Sequence, residues 1–302
     1  MSKLISKWNY PTTVRFGAGR IKELPEVLEA TGIKKPLFVT DPGLAKLPVV
    51  ASTLKILDDA KVPYGVFSEV KPNPVESNLT AGIAVFKKGK HDGVIADPEL
   101  SVGMPAFITA GTGMDALAHC LEAYCAPGYH PMADGIAVEG IRLVFENLPK
   151  AYANGKDLTA RAHMMSAAAM GATAFQKGLG AIHSLSHPIG ALYDTHHGMT
   201  NAVFMPYVLA FNRDAVEERI ARLASYIGIK GGFDGFAKAI IKLRKELKVP
   251  HALPGLIKDL NMSKKQKELI ADMAIVDPTA GGNPVKLTKK AALKLLDEAI
   301  EG

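Results

Sequence analysis

The stretch Gly113-Met114-Asp115-Ala116-Leu117-Ala118-His119 decides the fold of the second part of this chain. It is rich in Ala, Leu and Met, which favour helix. Asp115 and His119 lie four positions apart, and on a helix this spacing places both side chains on one face, one turn from each other. A carboxylate and an imidazole would then converge on one point, as in a metal-ligand pair. The alternative is an exposed ion pair on a helix face.

A second window, from Gly180 to Gly198, is rich in histidine. It contains four of the nine histidines of the chain, namely His183, His187, His196 and His197. One carboxylate with two or three neutral imidazoles suits a borderline divalent ion such as Fe²⁺ or Zn²⁺, and open coordination positions would leave room for a substrate. Taken alone, His183 and His187 are also explained as a hydrogen-bonded pair in the core. Together the two windows favour a catalytic metal site.

The spacing does not decide which of these histidines bind the ion. His183 and His187 share a helical face only if the helix continues, and Pro188 disfavours α geometry at the residue before it. His196 and His197 are neighbours whose side chains point in different directions. At most one of those two easily reaches the same ion.

Strand-like and helix-like segments alternate through the first hundred residues. Short apolar strands are predicted at Pro36–Thr40, Tyr64–Phe67 and Gly93–Ala96, with crossover helices around Pro48–Ala60 and Val75–Lys88. From Met104 onward, helix-forming residues dominate. Helices are predicted at Asp115–Ala126, Asp134–Glu146, Leu158–Phe175, Ala215–Ile227, Phe233–Leu247, Lys264–Met273 and Leu287–Ile300. The sequence therefore predicts half of a doubly wound α/β sheet, followed by a domain that is nearly all α.

Composition and charge exclude several classes of protein. The 302 residues are 48% hydrophobic and 22% charged, with no apolar run near the roughly 20 residues that span a bilayer. The N-terminus lacks the apolar core of a secretory signal, so we expect a cytoplasmic protein without a membrane anchor. The net charge is +6, but the lysines are spread in ones and twos without interleaved aromatic residues, which argues against nucleic-acid binding. Cys120 and Cys125 are expected to be free core residues.

At the two windows the chain resembles the iron-containing, or group III, alcohol dehydrogenase family, which is related to glycerol dehydrogenase and dehydroquinate synthase. The stretches that carry the resemblance are Asp97 to Leu100, Thr112 to His119, and His183 to His197 with the Gly that follows it. The resemblance implies four metal ligands, which are Asp115, His119, His183 and His197. It implies Fe²⁺ as the metal, although affinity trends would let Zn²⁺ compete.

The resemblance extends to the N-terminal part, through Phe16 to Gly19, Val39 to Asp41 and Lys71 to Pro74. It places His187 beside nicotinamide and substrate, as a proton relay that does not bind the metal. It places Asp41 on the adenosine ribose, which favours NAD because a 2′-phosphate would meet a carboxylate. Asn73 would lie near the nucleotide, although plain turn chemistry also explains it. Family habit implies a homodimer or a larger homo-oligomer.

The resemblance breaks after Ala96, which is followed directly by Asp97. In the family a Gly-Gly-Gly-Ser turn and a helix that holds the cofactor pyrophosphate follow such a strand. Several tens of residues are therefore absent, through a true deletion or through the joining of two stretches of a longer chain. Such a loss would remove the phosphate cradle and expose apolar sheet edges. Thr109–Gly113 superficially resembles a nucleotide loop, but the residues after it assign it to the entry turn of the metal-binding helix.

The combined expectation is an incomplete, Rossmann-like α/β dinucleotide-binding domain over residues 1–96 and an all-α metal-binding domain over residues 97–302. The expected activity is metal-dependent hydride transfer between a small primary alcohol or diol, or the matching aldehyde, and NAD. Two alternatives stay open. Loss of the cofactor loop favours a metal-binding helical module without redox activity. A hydrolase could use the same ligands to activate water, but the family-like turns of the N-terminal half argue against it.

Overall fold

The computed structural model of the protein describes residues 19–71, 76–95 and 104–302. The described chain divides into two compact units, one ending at Met104 and one running from Pro105 to Gly302. The predicted domain boundary between Ala96 and Asp97 lies outside the described residues and stays a prediction.

The first unit contains a parallel sheet of three strands. They are β1 (Pro36–Val39), β2 (Gly65–Phe67) and β3 (Gly93–Ile95), in the order β2-β1-β3. The helices of this unit are α1 (Leu24–Thr31), α2 (Pro48–Asp59) and α3 (Glu76–Gly89). Strands joined by helical crossovers in this way confirm the predicted incomplete Rossmann-like fold.

The central strand β1 is apolar because it is buried on both faces, as strands of parallel sheets are. Phe38 is fully buried on one face in a small core with Leu28, Val50 and Leu57. The other face forms an apolar groove of about 610 Å³ against α3. Val94 in the groove is 57% exposed and Leu79 is 65% exposed. The unit thus presents apolar surface, as we expected of a sheet without its central strands.

The second unit is built from helices. They are α4 (Ala106–Cys125), α5 (Pro131–Ala153), α6 (Leu158–Ala174), α7 (Ala181–Tyr193), α8 (His197–Phe211), α9 (Arg213–Tyr226), α10 (Gly232–Glu246), α11 (Lys264–Val276) and α12 (Lys289–Glu301). This confirms the predicted helical domain. Within the described ranges, none of the helices is both long enough and apolar enough to cross a bilayer.

Helix α4 lies at the centre of this unit, packed against α5, α6 and α8. It is buried on nearly all sides, as a helix that is apolar all round must be. Cys120 and Cys125 are buried there and free, as expected. Burial raises the pKa of each thiol to about 12, which keeps both protonated and inert at neutral pH.

The stretch Thr109–Gly113 belongs to the helix that carries Asp115 and His119, as predicted, but the prediction that it forms the entry turn was wrong, since α4 begins at Ala106. Its glycines serve close packing inside the helix. A Cβ atom on Gly111 would collide with the ring of His196, and one on Gly113 would collide with Leu148.

Helix α7 continues through Pro188, which settles the question that this proline left open. A proline inside a helix costs about 3 kcal/mol or more, because a hydrogen bond is lost and the ring meets the preceding turn. Ile182, Leu185 and Ile189 on α7 are at most 2% exposed. Burying three large apolar side chains, at about 1.5–3 kcal/mol each, outweighs that cost.

Candidate metal centre

Asp115 and His119 face the same point from α4. Asp115 Oδ2 lies 3.9 Å from His119 Nδ1, and each side chain keeps about a fifth of its surface exposed, 23% and 22%. These are polar groups on an otherwise buried helix, and their partial exposure leaves them accessible to an ion from solvent. We call the group of polar side chains around them the polar pocket. The spacing of four residues correctly predicted that they lie together.

Helix α7 brings His183 to the same pocket. Its side chain is 2% exposed, and its Nε2 lies 3.6 Å from Asp115 Oδ1. The ring of His183 stacks on that of His119, with 4.7 Å between ring centroids. The ligand atoms of Asp115, His119 and His183 all lie within 4.8 Å of one another, a spacing that can hold a metal ion.

Helix α8 begins with His197 and adds a third imidazole. Its Nε2 lies 3.4 Å from Asp115 Oδ1, and its ring centroid lies 5.3 Å from that of His183. Three of the four predicted ligands are thus imidazoles that each lie within 3.9 Å of an oxygen of the fourth, Asp115.

His187 and His196 lie beside this group with other partners. His187 is 41% exposed, and its Nδ1 lies 2.8 Å from Oδ2 of Asp277, which follows α11. Its ring stacks on that of His197 at 5.5 Å. His196 instead caps α8 by accepting the N–H of Met199, and its ring packs edge-on against Phe107. The neighbours His196 and His197 therefore do point in different directions.

Sequence reasoning missed two polar residues of the pocket, Glu122 and Asn201. Glu122 is 5% exposed, and its Oε2 accepts a 2.6 Å hydrogen bond from Nδ1 of His183. Asn201 donates from Nδ2 to Asp115 Oδ1 at 2.7 Å, with His197 Nε2 at 3.0 Å and His183 Nε2 at 3.2 Å. A signal was present, since Glu122 follows His119 by three positions and Asn201 follows His197 by four.

The charges of the pocket depend on these contacts. Burial alone would raise the pKa of Asp115, but His183 and the imidazoles of His119 and His197 outweigh it and lower that pKa to about 2. Burial likewise opposes charge on His183, but Asp115 and Glu122 raise the pKa of this imidazole to about 9. In the ion-free pocket, Asp115 is therefore an anion near neutral pH and His183 a cation.

The other two imidazoles stay neutral. Burial lowers the pKa of His197 to about 4 against the attraction of Asp115, and burial also lowers the pKa of His119. A neutral imidazole has a free lone pair, which is the form that binds a metal. Both residues are thus ready to act as ligands at neutral pH.

The donor set fits a divalent ion. One carboxylate with imidazoles is a typical environment for Fe²⁺ or Zn²⁺, and the donors come from three different helices that fix their directions. The amide of Asn201 lies within hydrogen-bond distance of three of the donor atoms. Its Oδ1 is a buried acceptor without a hydrogen-bond partner among the residues that the structure describes. The oxygen and nitrogen atoms that could donate electron pairs to a cation therefore lie close together, around the amide of Asn201.

The residues predicted to bind the nucleotide belong to the other unit. Asp41 follows strand β1, and its Oδ1 accepts hydrogen bonds from the N–H groups of Gly43 at 2.7 Å and Leu44 at 3.0 Å. It therefore lies at the carboxyl end of a parallel strand, the edge where open α/β sheets bind ligands. Asn73 lies outside the described residues.

Two family models match this chain. The model for iron-containing alcohol dehydrogenase matches residues 11–96. The model for the C-terminal part of the Fe-containing alcohol dehydrogenase family matches residues 109–300, more than half of the chain. The chain therefore belongs to the iron-containing alcohol dehydrogenase family of oxidoreductases. The first match ends at Ala96, where we predicted the junction.

Individual relatives agree with this assignment. The chain is 28% identical to a 4-hydroxybutyrate dehydrogenase from Cupriavidus necator, over 96% of this chain and 99% of that protein. It is 32% identical to an NADPH-dependent butanol dehydrogenase from Clostridium saccharobutylicum, over 87% of this chain and 65% of that protein. A solved structure of a 1,3-propanediol oxidoreductase matches with a TM-score of 0.89 at 28% identity, over 98% of this chain and 100% of that one.

The alignment with the first of these relatives also shows how many residues this chain lacks. It spans 384 positions, whereas this chain has 302 residues, so at least 82 positions of the alignment have no residue in this chain. The two family matches leave only residues 97–108 between them. This agrees with the expectation that several tens of residues are absent near Ala96.

Proposed function

We propose that this protein is a metal-dependent oxidoreductase that transfers hydride between a small primary alcohol or diol, or the matching aldehyde, and NAD. The metal centre would consist of Asp115, His119, His183 and His197. The observation that carries this proposal is the approach of three imidazoles to the Asp115 carboxylate, at 3.4, 3.6 and 3.9 Å. Fe²⁺ is the first candidate, from family membership, and Zn²⁺ is the second.

A divalent ion bound there would supply Lewis acidity that makes an alcohol hydroxyl easier to deprotonate, and NAD would accept the hydride. The chain itself would handle the proton. Nδ1 of His187 is held by Asp277 at 2.8 Å, which leaves Nε2 to take the hydroxyl proton. With 41% of its side chain exposed, His187 can pass that proton to water.

The cofactor would bind to the α/β unit, with Asp41 on the adenosine ribose and Asn73 near the nucleotide. A carboxylate at the end of β1 favours NAD over NADP, since a 2′-phosphate would meet a negative charge. One relative is NADPH-dependent, so the preference is worth testing with both cofactors. The domains would divide between Ala96 and Asp97, and the active form would be a homodimer or a larger homo-oligomer.

The names of the relatives define the substrates to test. They include 4-hydroxybutyrate, methanol, butanol and 1,3-propanediol. All present a primary hydroxyl on a short chain, and none needs more than one charged group for recognition. We therefore propose short primary alcohols and diols, with the corresponding aldehydes in the reverse direction.

A second candidate function is a metal-binding helical module without redox activity. The observation that favours it is the set of at least 82 alignment positions that this chain lacks. Without a segment to hold the pyrophosphate, the metal centre would have no hydride acceptor. The same metal content but no NAD-dependent turnover would distinguish this module from the dehydrogenase.

The test is a reconstitution of the purified protein with Fe²⁺ under anaerobic conditions, and with Zn²⁺ in parallel. We expect one ion per chain by elemental analysis, and NADH formation with short primary alcohols if the cofactor is bound. A protein that takes up neither ion would refute the metal centre. Turnover of esters or amides without NAD would instead support a hydrolase.

A further inference from the structure

We infer that Glu122 is a positioning residue of the metal centre, acting through His183, which it orients so that Nε2 of this ring faces the ion. This inference rests on the proposed metal centre. Glu122 itself binds no ion in this arrangement, because both of its oxygens are engaged with helix α7.

The contacts of Glu122 are short and buried. The residue is 5% exposed, and the side chain of His183 is 2% exposed. Oε2 of Glu122 lies 2.6 Å from Nδ1 of His183, the length expected of a hydrogen bond to a carboxylate. Oε1 accepts the backbone N–H of Ile182 at 2.7 Å. One carboxylate thus holds two consecutive residues of α7.

The chemistry of a carboxylate fixes the orientation of the ring. An ionised carboxylate only accepts hydrogen bonds, so Nδ1 of His183 must carry the hydrogen. Nε2 is then the nitrogen that keeps a lone pair when the ring is neutral, and it is the one that lies 3.6 Å from Asp115 Oδ1. Partners of this kind, on the far nitrogen of a ligating imidazole, set its tautomer and its direction.

The start of α7 depends on the same carboxylate. Gly180 precedes the helix and offers no side-chain cap, and a Cβ there would lie 2.8 Å from Asn283 Oδ1 and 3.1 Å from Glu122 Oε1. The first N–H groups of the helix are satisfied from elsewhere in the chain, Ala181 by Asn283 and Ile182 by Glu122. Glu122 therefore anchors the backbone one residue before the ligand as well as the ligand itself.

The substitution Glu122→Gln tests this role with little change of shape. Glutamine has one acceptor oxygen, so it can serve Ile182 or His183 but not both, and its NH₂ group faces the remaining donor. Asp134→Asn is the matched control. Oδ1 of Asp134 lies 2.6 Å from Nζ of Lys177 in the same helical unit, so this change also removes a carboxylate from a partly buried contact, but one that none of the four proposed ligands makes.

The readout is the dissociation constant of Zn²⁺ alone, measured by competition with a chromophoric chelator, together with circular dichroism of the ion-free protein. We expect E122Q to weaken Zn²⁺ binding about 10–100-fold, the usual effect of losing such a partner. D134N should change the affinity less than about threefold. Equal affinities of E122Q and the unaltered protein, or equal losses in E122Q and D134N, would overturn the inference.

A double-mutant cycle with His183→Ala separates positioning from general destabilisation. If Glu122 acts through His183, then E122Q should have no further effect on Zn²⁺ affinity in the H183A background. A full additional loss there would mean that Glu122 supports the fold and not the ligand. If the unaltered protein binds neither Zn²⁺ nor Fe²⁺, the proposed metal centre fails and this inference fails with it. Binding by the unaltered protein with an unchanged E122Q rejects this inference alone.

Discussion

Gly198 on α8 lies directly against the backbone carbonyl of Gly111 on α4, so closely that a Cβ atom at position 198 would collide with that carbonyl. The same Cβ would lie 3.0 Å from the Cβ of Asp115. Two helices can come this close only where one of them has no side chain. The contact places His197, the residue before Gly198, next to the Asp115 carboxylate. This explains why a glycine follows His197.

We expect Gly198→Ala to push α8 away from α4. The free energy of unfolding should fall by about 1–3 kcal/mol, the usual cost of overpacking, and Zn²⁺ affinity should fall with it because His197 moves. Urea denaturation and chelator competition measure the two effects. Gly135→Ala on α5 is the control, since a Cβ there meets nothing within 4 Å. That change should stabilise the helix by up to about 1 kcal/mol. Equal behaviour of both variants would contradict this account.

Neighbouring histidines should respond differently to substitution. We expect His197→Ala to lose more Zn²⁺ affinity than the roughly 10–100-fold typical of an outer partner, and to lose turnover. His196→Ala should keep the metal, because His196 caps α8 and packs on Phe107. Its cost is expected in stability, about 1 kcal/mol for the lost cap. Metal analysis of both purified variants checks the pair, and retained metal in H197A would reject His197 as a ligand.

Metal binding should release a proton near neutral pH. The pKa of His183 in the ion-free protein is raised to about 9, so a bound ion must displace the proton that this ring carries below that pH. The pKa of His197 is lowered to about 4 and that of Asp115 to about 2, so neither contributes. Affinity should therefore rise about tenfold per pH unit between about pH 7 and 8.5.

Calorimetry of Zn²⁺ binding in two buffers with different ionisation enthalpies counts the released protons. One proton per ion is the expected result near pH 7. Release of no proton would mean that His183 is already neutral, and that the pair of Asp115 and Glu122 does not hold it charged.

The sequence predicted the pair of ligands on one helix, but not how the ligands of other helices come to lie beside it. Asp115 and His119 follow from a spacing of four on one helix. The approach of His197 to Asp115 depends on the packing of α4 against α8, two helices far apart in the chain, and no spacing rule reaches that far. For His183 and His197, the family resemblance supplied what the residue pattern left open. Glu122 follows His119 by three positions, but its observed partner, His183, is 61 positions away, so the spacing did not reveal the contact.

Helix α8 and the first turns of α4 were missed for a different reason. Both are buried on nearly all sides, so neither shows the alternation of polar and apolar faces that marks a surface helix. The sequence predicted the amphipathic α10 far better, over Phe233–Leu247 against the observed Gly232–Glu246. Hydrophobic periodicity reveals helices that have a solvent-exposed polar face. Helices α4 and α8, which carry residues of the metal centre, largely lack such a face.

The two proposed functions differ most clearly in the binding of NAD. The 302-residue chain has no residue at 82 or more positions of the alignment with its dehydrogenase relative, and the family match of its first part ends at Ala96. A pyrophosphate is normally held by backbone N–H groups at a helix N-terminus, and the family resemblance places that helix in the absent segment. If the segment is truly deleted, as the metal-binding module requires, we expect NAD to bind with a dissociation constant weaker than about 1 mM, which leaves less than about 4 kcal/mol of binding free energy. The dehydrogenase requires tighter binding.

Calorimetry of the metal-loaded protein with NAD, and with NADP in parallel, measures the two dissociation constants directly. A chimera that carries the corresponding segment of the 4-hydroxybutyrate dehydrogenase after Ala96 is the matched comparison, and it should bind NAD in the micromolar range. Micromolar binding by the unaltered chain would contradict the expectation, because the remaining residues, Asp41 among them, would then hold the cofactor without a phosphate cradle. In that case Asp41→Asn should weaken NAD binding. It should also narrow the difference between the dissociation constants of NAD and NADP, since the carboxylate that opposes a 2′-phosphate would be gone.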